Sequence, residues 1–379
     1  AIQADQDAPT GHLDAGVLFD GGGTVTLTST SNNYRGGTEI SSGILQVSAD
    51  SNLGHSAGAI TFNDGGTLAT TDSFTSSRNI VFSGSGALSP SADTTLSLSG
   101  TNSGAGGLTI NGPGTVLFSN NQSYTGDTTI SGGTLAFSGC GALNATTTVS
   151  LAPDAILDIT NAHIFSTIGN LSGTGGTVAL GGHRLYAAGS GNSTFSGTIS
   201  DNGSGTLVKQ GGGTLTLAGT NTASGTLTID AGAIETTGSS AGAWSNITVG
   251  TTLNLNHDTD VTLVSWLSGA GTINALGTGK VNFTGENEIF SGTLNLQGPV
   301  AINNLFGGHV AVAPGGTLSG TGHVLGSVTV GSGGVSAPGN SIGTMVISGN
   351  YTQAADSTYL VQINNAGDST LLDIGGSAI

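Results

Sequence analysis

One cysteine, Cys140, stands in the whole chain. That excludes an intramolecular disulfide framework and any metal site built on several thiolates. Its neighbours Gly139 and Gly141 place it in a turn as an incidental thiol. Basic residues are nearly as scarce, with five Lys+Arg against 22 Asp+Glu and a net charge of −17. Nucleic acids and anionic membrane surfaces are bound by clustered Lys and Arg, and five scattered cations form no such stripe. Neither class of partner is expected. Charge of either sign is low, at 7% of residues against about 25% in an ordinary soluble domain, which excludes an average globular enzyme. No apolar run approaches the ~18–20 residues of a membrane span, and Ala1 is not followed by a charged and then an apolar segment. If the protein is exported, it is expected to be a mature or trimmed piece. Seven prolines without a Gly-X-Y period exclude collagen.

What is present is glycine, 68 residues of 379, with abundant Thr, Ser and Asn. Glycine costs roughly 1 kcal/mol per helical position relative to Ala, and Ser, Thr and Asn compete for the backbone, so long helices are disfavoured. With 36% hydrophobic residues the chain still has enough to fold. The expected class is all-β.

Pieces of the form Gly-Thr-(Leu/Val) recur at Gly23, Gly66, Gly114, Gly133, Gly213, Gly292 and Gly316, among others, with Gly-Thr-Ile at Gly271. A longer unit occurs four times. Its first copy runs through Gly23-Thr24-Val25-Thr26-Leu27, Tyr34, Gly36, Thr38, Ile40, Gly43 and Leu45. The second runs through Gly114-Thr115-Val116-Leu117-Phe118, Tyr124, Gly126, Thr128, Ile130, Gly133 and Leu135. The third has Gly213-Thr214-Leu215-Thr216-Leu217, Ala223, Gly225, Leu227, Ile229, Gly232 and Ile234. The fourth has Gly279-Lys280-Val281-Asn282-Phe283, Phe290, Gly292, Leu294, Leu296 and Gly298. From leading Gly to aromatic slot the step is 11, 10, 10 and 11 residues.

Within each strand apolar residues alternate with polar ones, so one face is buried and the other wet. Segments this short cannot bury their apolar face alone and must stack on neighbours. The solution is a parallel β-helix, or β-solenoid, a single elongated rod. At ~22 residues per coil and ~4.8 Å between strands the chain makes roughly 17 coils over about 80 Å. Low charge fits this geometry, because a charge in the motif would stand ~4.8 Å from its own copy.

These units resemble the passenger-associated repeats of bacterial autotransporters, the type V secreted proteins. The resemblance implies a right-handed parallel β-helix that crosses the periplasm and outer membrane and is displayed on the cell surface or released. The run Gly316-Thr317-Leu318-Ser319-Gly320, with Pro338-Gly339-Asn340-Ser341-Ile342-Gly343-Thr344 and Gly349-Asn350-Tyr351-Thr352-Gln353, is similar to the junction segment before the outer-membrane barrel. It implies passenger repeats over residues 1–305 and an autochaperone-like cap over 306–379. The barrel itself is not in the sequence, so membrane contact is expected only through a barrel outside it.

Solenoids also carry polysaccharide-active enzymes, which need paired carboxylates at a set separation. Asp258 with Asp260, and Glu286 with Glu288, are spaced to share one face of a strand. No polygalacturonase-like set accompanies them, and the seven histidines lack zinc-ligand spacing. No catalytic residue, metal or cofactor is expected. Departures from the repeat are the candidate binding segments: Asn161–Asn170 with His163 and Phe165, Gly182–Phe195 with His183, Arg184 and Tyr186, and Ser239–Ile247 with Trp244. The candidate binding residues are Tyr186, Trp244, Arg184 and His183, while Trp266, in the run Val261–Leu267, is expected in the core. The expected function is attachment to a host surface protein or glycan, self-association with another copy, or biofilm formation. The alternatives are a polysaccharide-active enzyme on the same scaffold, or a stalk for a catalytic domain N-terminal to Ala1.

Overall fold

Strict alternation decides which side chains turn inward. In Ile44–Val47, Leu45 and Val47 are buried while Ile44 is exposed, and Thr214–Leu217 and Thr226–Ile229 repeat the pattern. A computed structural model describes residues 15–163, 165–238, 240 and 243–379. Among them are one 3₁₀ turn, Asp50–Leu53, and no α-helix. The strands pair in parallel, each with the strand one coil earlier and one coil later. This is the β-solenoid expected, with about 17 coils counted along its longest sheet.

The chain forms two compact units. In the first, residues 15–189 with 196–200, the longest sheet climbs from Thr24–Leu27 to Leu171–Gly173. Beside it lie a five-stranded sheet from Val17–Phe19 to Asn102–Ser103 and a seven-stranded sheet from Phe74–Ser76 to Thr198–Ser200. In the second unit, residues 190–195 with 201–379, the longest sheet runs from Ser193–Phe195 to Tyr351–Gln353. A six-stranded sheet from Val261–Leu263 to Thr358–Tyr359 and a four-stranded one from Leu305–Phe306 to Leu371–Ile374 belong to this unit. Coil length varies: Thr293 faces His309, whereas Val328 faces Tyr351.

The recurring unit is one closed coil. In the first copy Thr24–Leu27 and Ile44–Val47 pair directly, and Thr38–Ile40 crosses a neighbouring face between them. Thr115–Phe118 pairs with Thr134–Phe137, Thr214–Leu217 with Ala233–Thr236, and Val281–Phe283 with Val300–Ile302 in the same way. The glycine that closes each of the first three copies has positive φ: +69° at Gly43, +64° at Gly133 and +67° at Gly232. A Cβ at Gly133 would stand 2.3 Å from the carbonyl oxygens of both Gly112 and Gly114, so conformation and space both require glycine. Gly298 of the fourth copy lacks the left-handed backbone but still has the Gly277 carbonyl 2.0 Å from its Cβ position.

The core is a column of Leu, Ile, Val and Phe, each worth about 1.5–3 kcal/mol when fully buried. Phe62 and Phe82 stack 5.4 Å apart in successive coils. The aromatic slot of the repeat is inside: Tyr34, Tyr124, Ala223 and Phe290 are all buried. Outside, amides take the place of charge. Asn274 donates to Asn254 Oδ1 at 2.9 Å, and Asn295 to Asn274 Oδ1 at 3.0 Å, three coils joined by neutral side chains that stack without repulsion.

Candidate functional site

Of the five basic residues, two are inside. Arg78 is buried against the 3₁₀ segment, and Lys209 is buried and donates to the Gly211 carbonyl. Arg35, Arg184 and Lys280 are the exposed ones, and Arg184 has aromatic company.

Strand Phe165–Ile168 pairs in parallel with Arg184–Ala187, with Phe165 opposite Arg184 and Thr167 opposite Tyr186. Ser166, Ile168, Leu185 and Ala187 face inward, which turns Phe165, Arg184 and Tyr186 outward. Phe165 is 52% exposed, and its ring meets Tyr186 edge-on at 5.6 Å and 84°. The same phenylalanine walls a cavity of about 170 Å³ lined by Asn121, Cys140, Ala142 and His163. Among the described residues the Arg184 guanidinium has no hydrogen-bond or ion-pair partner. No carboxylate occurs in residues 159–200. An open aromatic pair, a free guanidinium and a mostly apolar cavity thus share one outward face of the first unit.

Two of the expected binding residues, Tyr186 and Arg184, are brought together here. His183, next in sequence, is half-buried, and its Nδ1 is enclosed without a partner among the described residues. Trp244 differs: it is fully buried, so its ring is not presented to a ligand, and its carbonyl accepts from Ser265 Oγ at 2.5 Å. Trp266, expected in the core, is 57% exposed. Leu263, Ser265 and Leu267 take the inward positions, so period two forces Val264 and Trp266 out. Part of segment 239–247 lies outside the described residues. Asn161–Asn170 and Gly182–Phe195, expected as loops departing from the repeat, instead contribute strands Phe165–Ile168, Arg184–Ala187 and Ser193–Phe195, each paired in parallel. The polar Ser166 in an inward slot, bonded to the Gly141 carbonyl at 3.3 Å, hides the alternation.

The carboxylate pairs do not lie on strands. Asp258, Asp260, Glu286 and Glu288 are exposed in irregular stretches, and Asp260 accepts the Lys280 backbone N–H at 2.8 Å. Cys140 sits exposed in its turn. No group of three or more His, Cys, Asp and Glu suited to a metal occurs among the described residues.

Two titrating groups are structural and set a pH dependence. His257 is buried, with Nδ1 2.8 Å from the Gly238 carbonyl and Nε2 3.0 Å from Thr236 Oγ1. Burial pushes its pKa down, against the opposing pull of that carbonyl and of Asp258. Burial raises the Asp201 carboxyl, but it accepts backbone N–H groups from Gly203, Gly205, Ser224 and Gly225, and the balance lies below the usual value. For both, the unfolded chain binds the proton first, so acid destabilises. His257 gives full stability above its unfolded pKa of 6.5 and loses it as pH falls toward the lowered folded value; Asp201 does so below 3.8. Urea midpoints are expected to fall in two steps, the first flattened in His257→Gln and the second reduced in Asp201→Asn. A midpoint constant from pH 7.5 to 5 in the unaltered chain contradicts the His257 assignment.

The passenger-associated-transport-repeat family model matches residues 20–47, 111–137 and 207–235. Each match frames one closed coil, and together they take in the first three copies of the recurring unit. Over 95 residues the chain is 38% identical to the Adhesin BmaC autotransporter of Brucella suis biovar 1 (strain 1330), a match that spans 23% of this chain and 3% of that protein. No solved structure matches. On these grounds the chain carries the repeats of an autotransporter passenger, each built as one closed coil of a parallel β-solenoid.

Proposed function

We propose that this chain is the attachment segment of an autotransporter, displayed on the bacterial surface or released from it, and that it works by binding rather than catalysis. The observation that carries the reading is the outward grouping of Phe165, Arg184 and Tyr186 on a scaffold whose other outer positions are mostly Thr, Ser and Asn. A relative with adhesin in its name supports the same direction. Exposed aromatics beside a guanidinium are the composition of binding hot spots, whereas uncharged hydroxyl and amide ladders supply only weak contacts. Residues 306–379 are read as the stabilising cap of the segment, a proposal supported by the separate sheet that begins at Leu305–Phe306.

Self-association is the second reading, favoured by the asparagine ladder Asn254, Asn274 and Asn295, whose repeated amides would let weak contacts between copies sum. Labelled protein applied to host-cell layers should bind saturably and without releasing new reducing ends from surface glycans. Sedimentation on the same sample separates the two readings, because attachment by a monomer and concentration-dependent association give different profiles. Glycan cleavage, or neither attachment nor association, overturns the binding reading.

A further inference from the structure

We propose that the Phe165, Arg184 and Tyr186 face, with the cavity beside Phe165, is a site for an anionic sugar: an oligosaccharide whose ring carries a carboxylate or sulfate. This deepens the attachment reading and rests on it for its biological setting.

The chemistry comes from four observations. First, Phe165 and Tyr186 meet edge-on at 5.6 Å, so their faces are not stacked on each other and the exposed Phe165 ring remains open to the apolar face of a pyranose. Second, Arg184 stands opposite Phe165 in register on the same outward face. Its planar fork matches a carboxylate or sulfate with two parallel N–H···O bonds, and no protein acceptor among the described residues occupies it. Third, Asn121 and His163 line the mostly apolar cavity together with Phe165, and both are residues able to donate to and accept from sugar hydroxyls. Fourth, in a chain of net charge −17, residues 159–200 carry no carboxylate while holding His163, His183 and Arg184. The stretch that supplies Phe165, Arg184 and Tyr186 therefore brings no carboxylate of its own against an anionic ring. A neutral sugar would leave the guanidinium unused, and an acidic peptide would leave the ring and cavity without a flat partner.

The test is titration of the full chain with trigalacturonic acid, sialyllactose, a sulfated lactose, lactose and an oligo-aspartate peptide at low and high salt. At least one anionic sugar should bind about tenfold or more tightly than lactose, and the advantage should shrink with added NaCl. Carboxylated and sulfated probes together reveal which anion the fork prefers. Arg184→Gln should abolish the preference for the anionic sugar, and Arg184→Lys should keep part of it. Phe165→Ala or Tyr186→Ala should weaken anionic and neutral sugars alike. Arg35→Gln makes the same charge change at another exposed arginine and should alter nothing. Urea midpoints show whether each variant is folded. Equal binding of lactose and the anionic sugars, indifference to Arg184→Gln, or preference for an acidic peptide overturns the proposal. Cell attachment that persists in Arg184→Gln, without sugar binding, removes this site and leaves the attachment reading. Anionic sugar binding without cell attachment does the reverse.

Discussion

Replacing Arg78 with methionine is expected to destabilise the protein by about 3–5 kcal/mol, the range for removing one partner of a buried ion pair. Arg78 is 2% exposed and lies between strands Phe74–Ser76 and Ile80–Phe82. Its Nε donates to Asp50 Oδ1 at 2.9 Å. One terminal nitrogen donates to the carbonyls of His55 and Gly58, and the other to those of Asp50 and Gly54 and to Asp50 Oδ2. Every guanidinium N–H is therefore used, and the acceptors all come from the stretch between Asp50 and Gly58 that leaves the regular coil. Methionine fills the volume of the stem but leaves those carbonyls and the Asp50 carboxylate without their donor. Lysine keeps the charge and loses the planar fork, so Arg78→Lys should fall between. Asp50→Asn should cost less, because the Asp50 side chain is 26% exposed and water replaces part of what is lost. Coils contact mainly their neighbours, so the damage should be local. Amide exchange is expected to quicken at residues 50–60 first, and a variant with unchanged exchange there and an unchanged urea midpoint refutes the assignment.

Arg78 also marks the limit of what was legible in the sequence. Most of its partners are backbone carbonyls, which any residue supplies, so nothing in the spelling of residues 50–58 announces a receptor for a guanidinium. The closed coil was legible, because the step from leading glycine to aromatic slot is held within one residue over four copies and glycine closes each turn. Period two was legible wherever hydroxyl residues alternate with Leu or Ile, as in Leu215-Thr216-Leu217. It was obscured where serine takes an inward position. With Ser265 inward and the apolar Val264 and Trp266 outward, the alternation of Val261–Leu267 is hidden, and Ser166 makes Phe165–Ile168 look like a loop. Of the candidate site, Arg184 and Tyr186 were legible as candidate binding residues, but as members of a segment departing from the repeat and not as outward positions of a strand. Phe165 as their partner depends on inter-coil register, which no local pattern states.

The hydroxyl pair inside the repeat gives the second large effect, and comparison among the copies predicts its form. Tyr124 Oη and Thr128 Oγ1 lie 2.7 Å apart with both residues fully buried, and Tyr34 and Thr38 reproduce the pair at 2.8 Å. Burial raises the Tyr124 phenol well above its usual pKa, with the bond to Thr128 pulling the other way, so the phenol stays protonated. In the third and fourth copies the same two slots hold Ala223 with Leu227 and Phe290 with Leu294, all buried. The chain keeps both hydroxyls or neither. Tyr124→Phe strands the Thr128 hydroxyl in the core, and Thr128→Val strands the phenol. Each is expected to cost about 1–3 kcal/mol, the penalty for an unsatisfied buried polar group. The double variant removes both and should recover to within about 1 kcal/mol of the original chain, a coupling of opposite sign to the single losses. Urea unfolding of the four proteins completes the cycle. Strictly additive losses would mean that the hydroxyls do not depend on each other, and the choice of Tyr/Thr in two copies and of Ala/Leu or Phe/Leu in the others would then reflect packing volume rather than hydrogen bonding.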